Sequence, residues 1–399
     1  VVHVDTTSFF LIVLASAVAA ATVAVLPRRI APPVVVLELL FGILIGPHGF
    51  GWASTDEFIL FFSNLGLGML FYFAGYEIDF ERIRGAPLRL GARGWLLSVA
   101  LAYAIGGLLV ALGVIDSLIY TGSAMATTAI GTLIPILRDG GELKTRFGTY
   151  LLGAGAVGEF GPILLVTLFL STDHPLREAV ILIAFVLIAV AIALLSMGVV
   201  WRGWSALERS LESSNQLAIR ITVVLVFGLV GLAGHLHLDI LLGGFVAGMI
   251  TRAALRGHEV AVFDSKLTAV GFGFFVPFFF IYSGMNFDLE ALGSAPAMAK
   301  LVMFFCLFLV VRGAPAMLLY RDVLGSTQRA ALAFYSATEL PLVVAITTLA
   351  VEDGHMKAST AAGLVGAAML STLVFPFVGT ALQNRHAFGG TEAPVPAEG

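Results

Sequence analysis

FGTYLLGAGAVGEFGPILLVTLFLST, residues 147–172, carries one charge, Glu159. Glycines flank that acid at 158 and 161, and Pro162 follows. A run of this length spans a bilayer, since about 20 apolar residues suffice. A carboxylate at its centre is costly there, roughly 2.5–3.5 kcal/mol on an insertion scale. Acids so placed normally face a cavity or a partner. Either this chain is a membrane protein with a working acid at mid-depth, or Glu159 is a neutral or paired brace between helices.

The rest of the chain decides the first half of that question. Of 399 residues, 59% are hydrophobic and 12% charged. A soluble domain carries about 25% charged residues, so the solvent is mostly lipid. A net charge of −4 offers no basic face for nucleic acid. One cysteine, Cys306, excludes an intrachain disulfide and a cysteine metal site. The first apolar run meets Pro27, Arg28 and Arg29 rather than a cleavage site, so it is read as a retained helix.

Thirteen candidate spans follow: 7–26, 33–50, 58–76, 90–113, 117–137, 147–170, 177–201, 217–234, 238–251, 268–285, 297–320, 328–350 and 359–382. With the N-terminus outside, 18 of the 22 Lys and Arg fall in inner loops. Only Arg177, Lys300 and Lys357 fall outside, and Arg312 lies within a span. That asymmetry is the positive-inside signature. It predicts an all-α polytopic membrane protein with a cytoplasmic C-terminus, and a bacterial-type plasma membrane as its place.

A weak repeat runs through these spans. YFAGYEIDFE (72–81) and IYSGMNFDLE (281–290) share Gly, Asp and Glu at an offset of 209. Gly42 and Gly46 answer Gly244 and Gly248 at an offset of 202. Partners stand seven crossings apart, so the halves run in opposite directions, a pattern of secondary transporters. The expected division is 1–170 as the first repeat (helices 1–6) and 171–214 as linker helix 7 with an inner loop. Residues 215–385 are the second repeat (helices 8–13), and 386–399 a disordered tail. The same pairing sets YTGSAMATTAIGTLIPIL (120–137) against AFYSATELPLVVAIT (333–347). Thr127, Thr128 and Gly131 precede Pro135 in one; Ser336, Thr338 and Glu339 precede Pro341 in the other. Matched interrupted helices mark a midplane binding site.

Four ionisable residues sit within spans: Glu38, Glu159, Arg312 and Glu339. Glu159 can hold a proton or a metal cation, one at a time, which is what exchange requires. Arg312 stays charged and needs an anion, with Glu159 and Glu339 as candidates. Glu339 is read as structural or coupling, and Glu38, like Gly158 and Pro162, as structural or part of a gate. The hydroxyls of Thr127 and Thr128 can ligate a dehydrated cation or serve as packing glue. HLHLD (235–239) has no third histidine nearby and reads as a surface turn or proton sensor rather than a metal site. No resident metal or cofactor is expected.

LELLFGILIGPHGFG (37–51), LGLGMLFYFAGYEIDFERI (65–83), TTAIGTLIPIL (127–137) and FFFIYSGMNFDLEAL (278–292) together resemble the monovalent cation/proton antiporter superfamily. Its sodium/proton exchangers and the membrane part of potassium-efflux antiporters are the nearest likeness. The resemblance implies a six-helix core, a separate dimerisation domain, a homodimer in the lipid bilayer, and alternating access. It implies that Glu159 is the ion-binding acid and Arg312 the basic residue of helix 11. Glu339 would be the acid of the second unwound helix, and Thr127 or Thr128 the polar residue of the first. The chain departs from the pattern at Gly158-Glu159, where relatives commonly carry Asp preceded by Asp, Asn or Gln. The expected function is exchange of Na+ or K+ for H+, one for one. The alternatives are a sodium-coupled organic-anion carrier, a channel-like protein, or a transport-dead sensor on the same scaffold. No HExxH or GxSxG motif supports an enzyme.

Overall fold

The computed structural model describes residues 5–26, 32–78, 80–130, 133, 137, 141–169, 175–236, 238, 240–255, 260–287 and 289–387. Of the residues read above, Pro27, Arg28, Arg29, Asp79, Gly131, Pro135, Arg138, His237, Asp239, Arg256, Asp288 and those beyond 387 lie outside them.

The described chain is helical, with no strand among the described residues. Its principal helices are α1 (Thr6–Val25), α2 (Val34–Ile45), α3 (Glu57–Glu77), α4 (Ala86–Ala111), α5 (Leu118–Met125), α6 (Arg146–Phe169), α7 (Pro175–Leu211), α8 (Leu217–His235), α9 (Ile240–Ala254), α10 (Ala261–Met285), α11 (Ala295–Leu319), α12 (Ser326–Ser336), α13 (Pro341–Glu352) and α14 (Ala358–Ala387). Among the described residues, eight stretches are long and apolar enough to cross a membrane. Helix is forced on such segments because lipid offers no partner for a free backbone group. At exposed ends, side chains supply the missing acceptors. Asp56 Oδ1 accepts from Ile59 N at 2.7 Å to start α3, and Ser294 does the same for Ala297 in α11.

Several boundaries differ from the sequence reading, among them α10, which opens at Ala261 rather than 268. α2 stops at Ile45 rather than 50, because Pro47 cannot continue it and a turn forms instead. In that turn Phe50 N bonds to Leu44 O and Ala53 N to Ile45 O. α7 runs on to Leu211, past the apolar stretch into WSALERSL, whose residues are tolerated in helix. α14 reaches Ala387, two residues into the stretch read as tail.

The chain forms two compact units, Val1–Asp79 with Thr167–Asn286, and Phe80–Val166 with Phe287–Gly399. The first holds α1–α3 and α7–α10; the second holds α4–α6 and α11–α14. The first unit is knit by glycines. A Cβ on Gly42 of α2 would strike Ile281 O and lie 2.9 Å from Gly284 Cα in α10. A Cβ on Gly248 of α9 would strike Tyr72 O and lie 2.6 Å from Tyr76 N in α3. Helices in lipid gain from such close backbone approach, since apolar area alone drives little there.

The second unit packs α11, α12 and α14 against one another, with α4 against α5 and α11. Its core includes Ile130, Phe147, Tyr150, Leu151, Tyr320 and Tyr335. Two of its elements are broken in the middle. α5 ends at Met125, and residues 126–129 run non-helically before helix resumes at Ile130. α12 ends at Ser336, and 337–340 run non-helically until Pro341 opens α13. Proline disfavours helix at the residue before it, and Leu340 takes φ −152°, ψ −61°.

Candidate ion-binding site

The two broken elements meet backbone to backbone. Ala129 N donates to Thr338 O at 2.8 Å. Thr128 N donates to Gly158 O of α6 at 3.1 Å. The non-helical turn of one element is therefore docked on the other and on the carbonyl that immediately precedes Glu159. On the 337–340 stretch, Glu339 N donates to Ser371 Oγ at 3.0 Å, and the Ser371 and Thr372 hydroxyls donate to Glu339 O at 3.1 and 3.3 Å. α14 thus supplies what the lost helix withdrew.

Arg312 of α11 is buried against this crossing, with 4% of its surface exposed. Its Nε donates to Thr128 Oγ1 at 3.0 Å and to Ser336 O at 3.3 Å. Its Nη2 donates to Thr128 Oγ1 at 2.6 Å, and its Nη1 to Ser98 Oγ at 3.1 Å. Every one of these acceptors is neutral. Ser336 O is the last carbonyl of α12, where the helix dipole presents its negative pole.

Bond counting separates the two threonines. A hydroxyl has one donor and two acceptor sites. Thr128 Oγ1 accepts twice from Arg312 and donates to Ser336 O at 2.6 Å, so it is saturated. Thr127 Oγ1 donates to Ala124 O at 3.0 Å, which leaves its lone pairs for another partner. It neighbours the wholly buried Glu339 carboxylate.

Glu159 lies on α6 with 6% exposure, one residue after the carbonyl that receives Thr128. Its flanking glycines do not open room for water, as a bare sequence suggests. A Cβ on Gly158 would strike Arg312 Nη2 and lie 2.7 Å from Thr128 Oγ1. A Cβ on Gly161 would strike the six-membered ring of Trp95. Each hydrogen is thus replaced by a neighbour's side chain. A side chain at 158 would have to displace the Arg312 guanidinium. Pro162 lies inside α6 and is buried.

The second unit therefore brings together Thr127, Thr128, Gly158, Glu159, Arg312 and Glu339. Glu38 is also buried, but it belongs to α2 of the first unit. Its Oε2 accepts no hydrogen bond. His235 Nδ1 lies 3.0 Å from Gly231 O at the end of α8. Ser98 and Trp95 were missed. Both sit on α4, where one serine and one tryptophan in an apolar helix carry no signal of their own.

A family model, sodium/hydrogen exchanger, transmembrane, matches residues 14–384. The chain belongs to that family. It is an integral membrane protein of a transporter family. It is 29% identical over 280 residues to the Na(+)/H(+)-K(+) antiporter GerN of Bacillus cereus, covering 67% of this chain and 68% of GerN. It is 23% identical over 376 residues to the putative Na(+)/H(+) antiporter YjbQ of Bacillus subtilis (strain 168), covering 90% of this chain. It spans 60% of YjbQ's length. The sodium proton antiporter MjNhaP1 of Methanocaldococcus jannaschii has the same fold, with a TM-score of 0.64 at 13% identity over 95% of this chain and 96% of that one.

Proposed function

We propose that this exchanger trades one Na+ or K+ for one H+, with Glu159 holding each in turn. The observation that carries the reading is the position of Glu159. It is a buried acid one residue from the carbonyl on which an unwound helix docks. Unwound backbone of this kind exposes oxygens and oriented dipoles to an ion. In this reading Thr127 lends its free lone pairs to the cation, while Thr128 and Arg312 form a clamp that fixes the crossing. Arg312 also sets a fixed positive charge beside one exchangeable negative one, which favours electroneutral exchange. Glu339 couples to the site through that charge, and Glu38 braces the first unit.

Alternating access through an inverted repeat is part of the same proposal. The glycine contacts support it. The offsets of 202 and 209 carry Gly42 and Gly284, which meet where α2 and α10 cross, onto Gly244 and Gly75 of the α9–α3 crossing, where Gly244 lies against Gly68 and Gly75 against Phe245. We further propose an outside N-terminus, an inside C-terminus and a homodimer. GerN's name favours K+ as well as Na+. Cysteine cross-linking in membranes would test the homodimer.

The test is a pH-dye assay in proteoliposomes with Na+, K+ and Li+ compared. Wild-type protein should move protons against a Na+ or K+ gradient. Glu159→Gln should fall to the level of empty liposomes, and full retention of exchange would remove Glu159 from the role. Cation-dependent uptake of an organic anion with no pH change would favour the carrier reading instead.

A further inference from the structure

α4 enters the crossing with two polar contacts, and one of them bears on which cation fits. Trp95 Nε1 donates to the carbonyl of Ala126 at 3.1 Å. Ala126 follows the last residue of α5 and precedes Thr127. Its carbonyl therefore stands at the negative end of a half-helix. It is also the backbone oxygen that precedes Thr127, whose hydroxyl donates to Ala124 O. Left alone, it is the kind of oxygen that unwound helices offer to alkali cations. The indole takes one of its lone pairs and stands on that side of it. The same indole is seated from behind by Gly161, where any side chain would strike the ring. Two independent features of the chain, a donor and a missing Cβ, hold one tryptophan against one carbonyl.

We propose that Trp95 is a specificity-determining residue: by occupying Ala126 O it trims the oxygen set of the unwound stretch that carries Thr127 and makes the exchanger prefer Na+ and Li+ to K+. The inference rests on the Glu159 site proposed above and names its substrate. Selectivity among alkali cations depends on cavity size and on the number and field strength of the oxygens. A larger ion needs more oxygens to replace its hydration shell. Withholding one carbonyl penalises K+ more than Na+. Trp95 touches no ion itself; it acts through Ala126 and is a positioning residue.

Trp95→Phe removes the donor together with the outer ring that packs at Gly161, so the readout is the ratio between cations rather than the rate. In proteoliposomes the half-saturating K+ concentration should fall relative to that for Na+. The expected change in that ratio is about fivefold, the equivalent of one ordinary hydrogen bond. A structural role alone would lower rates for all cations together and leave the ratio fixed. Gly161→Ala provides a second route, because its methyl pushes the indole from the carbonyl; it should shift the ratio in the same direction. Should Trp95→Phe fail to fold, Gly161→Ala decides. An unchanged ratio in a folded variant, or a wild-type preference for K+ over Na+, overturns the proposal. Failure of the underlying site is separate: it would show as exchange surviving Glu159→Gln, whatever the ratio does.

Discussion

Of the helix crossings built on glycine, two, one in each unit at Gly248 and at Gly158, use it for opposite ends. At the α3–α9 crossing of the first unit, the missing Cβ of Gly248 is filled by the backbone of Tyr72 and Tyr76. At the unwound crossing of the second unit, the missing Cβ of Gly158 is filled by Arg312 Nη2 and Thr128 Oγ1. The first contact is rigid, because two helix backbones cannot yield separately. The second is made with side-chain ends, held by hydrogen bonds. Glycine in the first unit fixes a distance between helices. Glycine in the second admits a charge beside the acid proposed to bind the ion.

Removing the charge should have the largest effect. Arg312→Ala strips Ser98 Oγ of its donor and leaves Thr128 Oγ1 and Ser336 O only their bond to each other in a buried place. With a buried group left unsatisfied at about 1–3 kcal/mol, the variant should lose stability of that order and all exchange, seen by thermal unfolding in detergent and by flux. Arg312→Lys should not restore it, since an ammonium cannot span the same fork.

Next come the glycines themselves. Gly248→Ala must part α3 from α9, an overpacking cost of about 1–3 kcal/mol. Exchange per folded molecule should stay within about twofold of wild type, because the site lies in the other unit. Gly158→Ala should differ in flux. Its methyl meets the buried Arg312 and Thr128, so stability should fall by about 1–3 kcal/mol here too, while displacement of Arg312 should lower exchange by about tenfold. Equal effects of the two alanines on flux would erase the distinction.

A smaller contrast separates the threonines. Thr127→Val should weaken cation affinity by about fivefold, one hydrogen bond's worth, and spare stability. Thr128→Val should cost stability first. The smallest effect lies outside the membrane, at the cap of α1. Hydrogen bonds from the Ser8 hydroxyl, the Ser8 amide and the Ser54 hydroxyl push the Asp5 carboxyl down to about 2 from 3.8. A depressed carboxylate stabilises above its ordinary pKa and loses that contribution as pH falls through the depressed one. Asp5→Asn should therefore lower the melting temperature slightly at pH 7, with the difference fading between about pH 4 and pH 2.

The helices were legible because the bilayer leaves few choices. The run at 147–172 appears as α6 from Arg146 to Phe169, and prolines with threonines flagged both breaks. The partners across the breaks were not legible. Sequence offers Glu159 and Glu339 to Arg312 as anions, yet its hydrogen bonds go to two hydroxyls and a carbonyl. Nothing local distinguishes Thr127 from Thr128; only the donor each one meets does. Gly158 read as a missing ligand, because the guanidinium that fills its place comes from a helix 154 positions further along. Trp95 and Ser98 carry no pattern until α4 is laid against the crossing.

The competition at Glu159 can be watched without transport. Purified protein in weakly buffered detergent solution should release a proton when Na+ is added, read by a pH dye. Release should approach one proton per chain below the acid's titration range and vanish above it, and Glu159→Gln should release none. Proton release by Glu159→Gln equal to wild type would contradict the account.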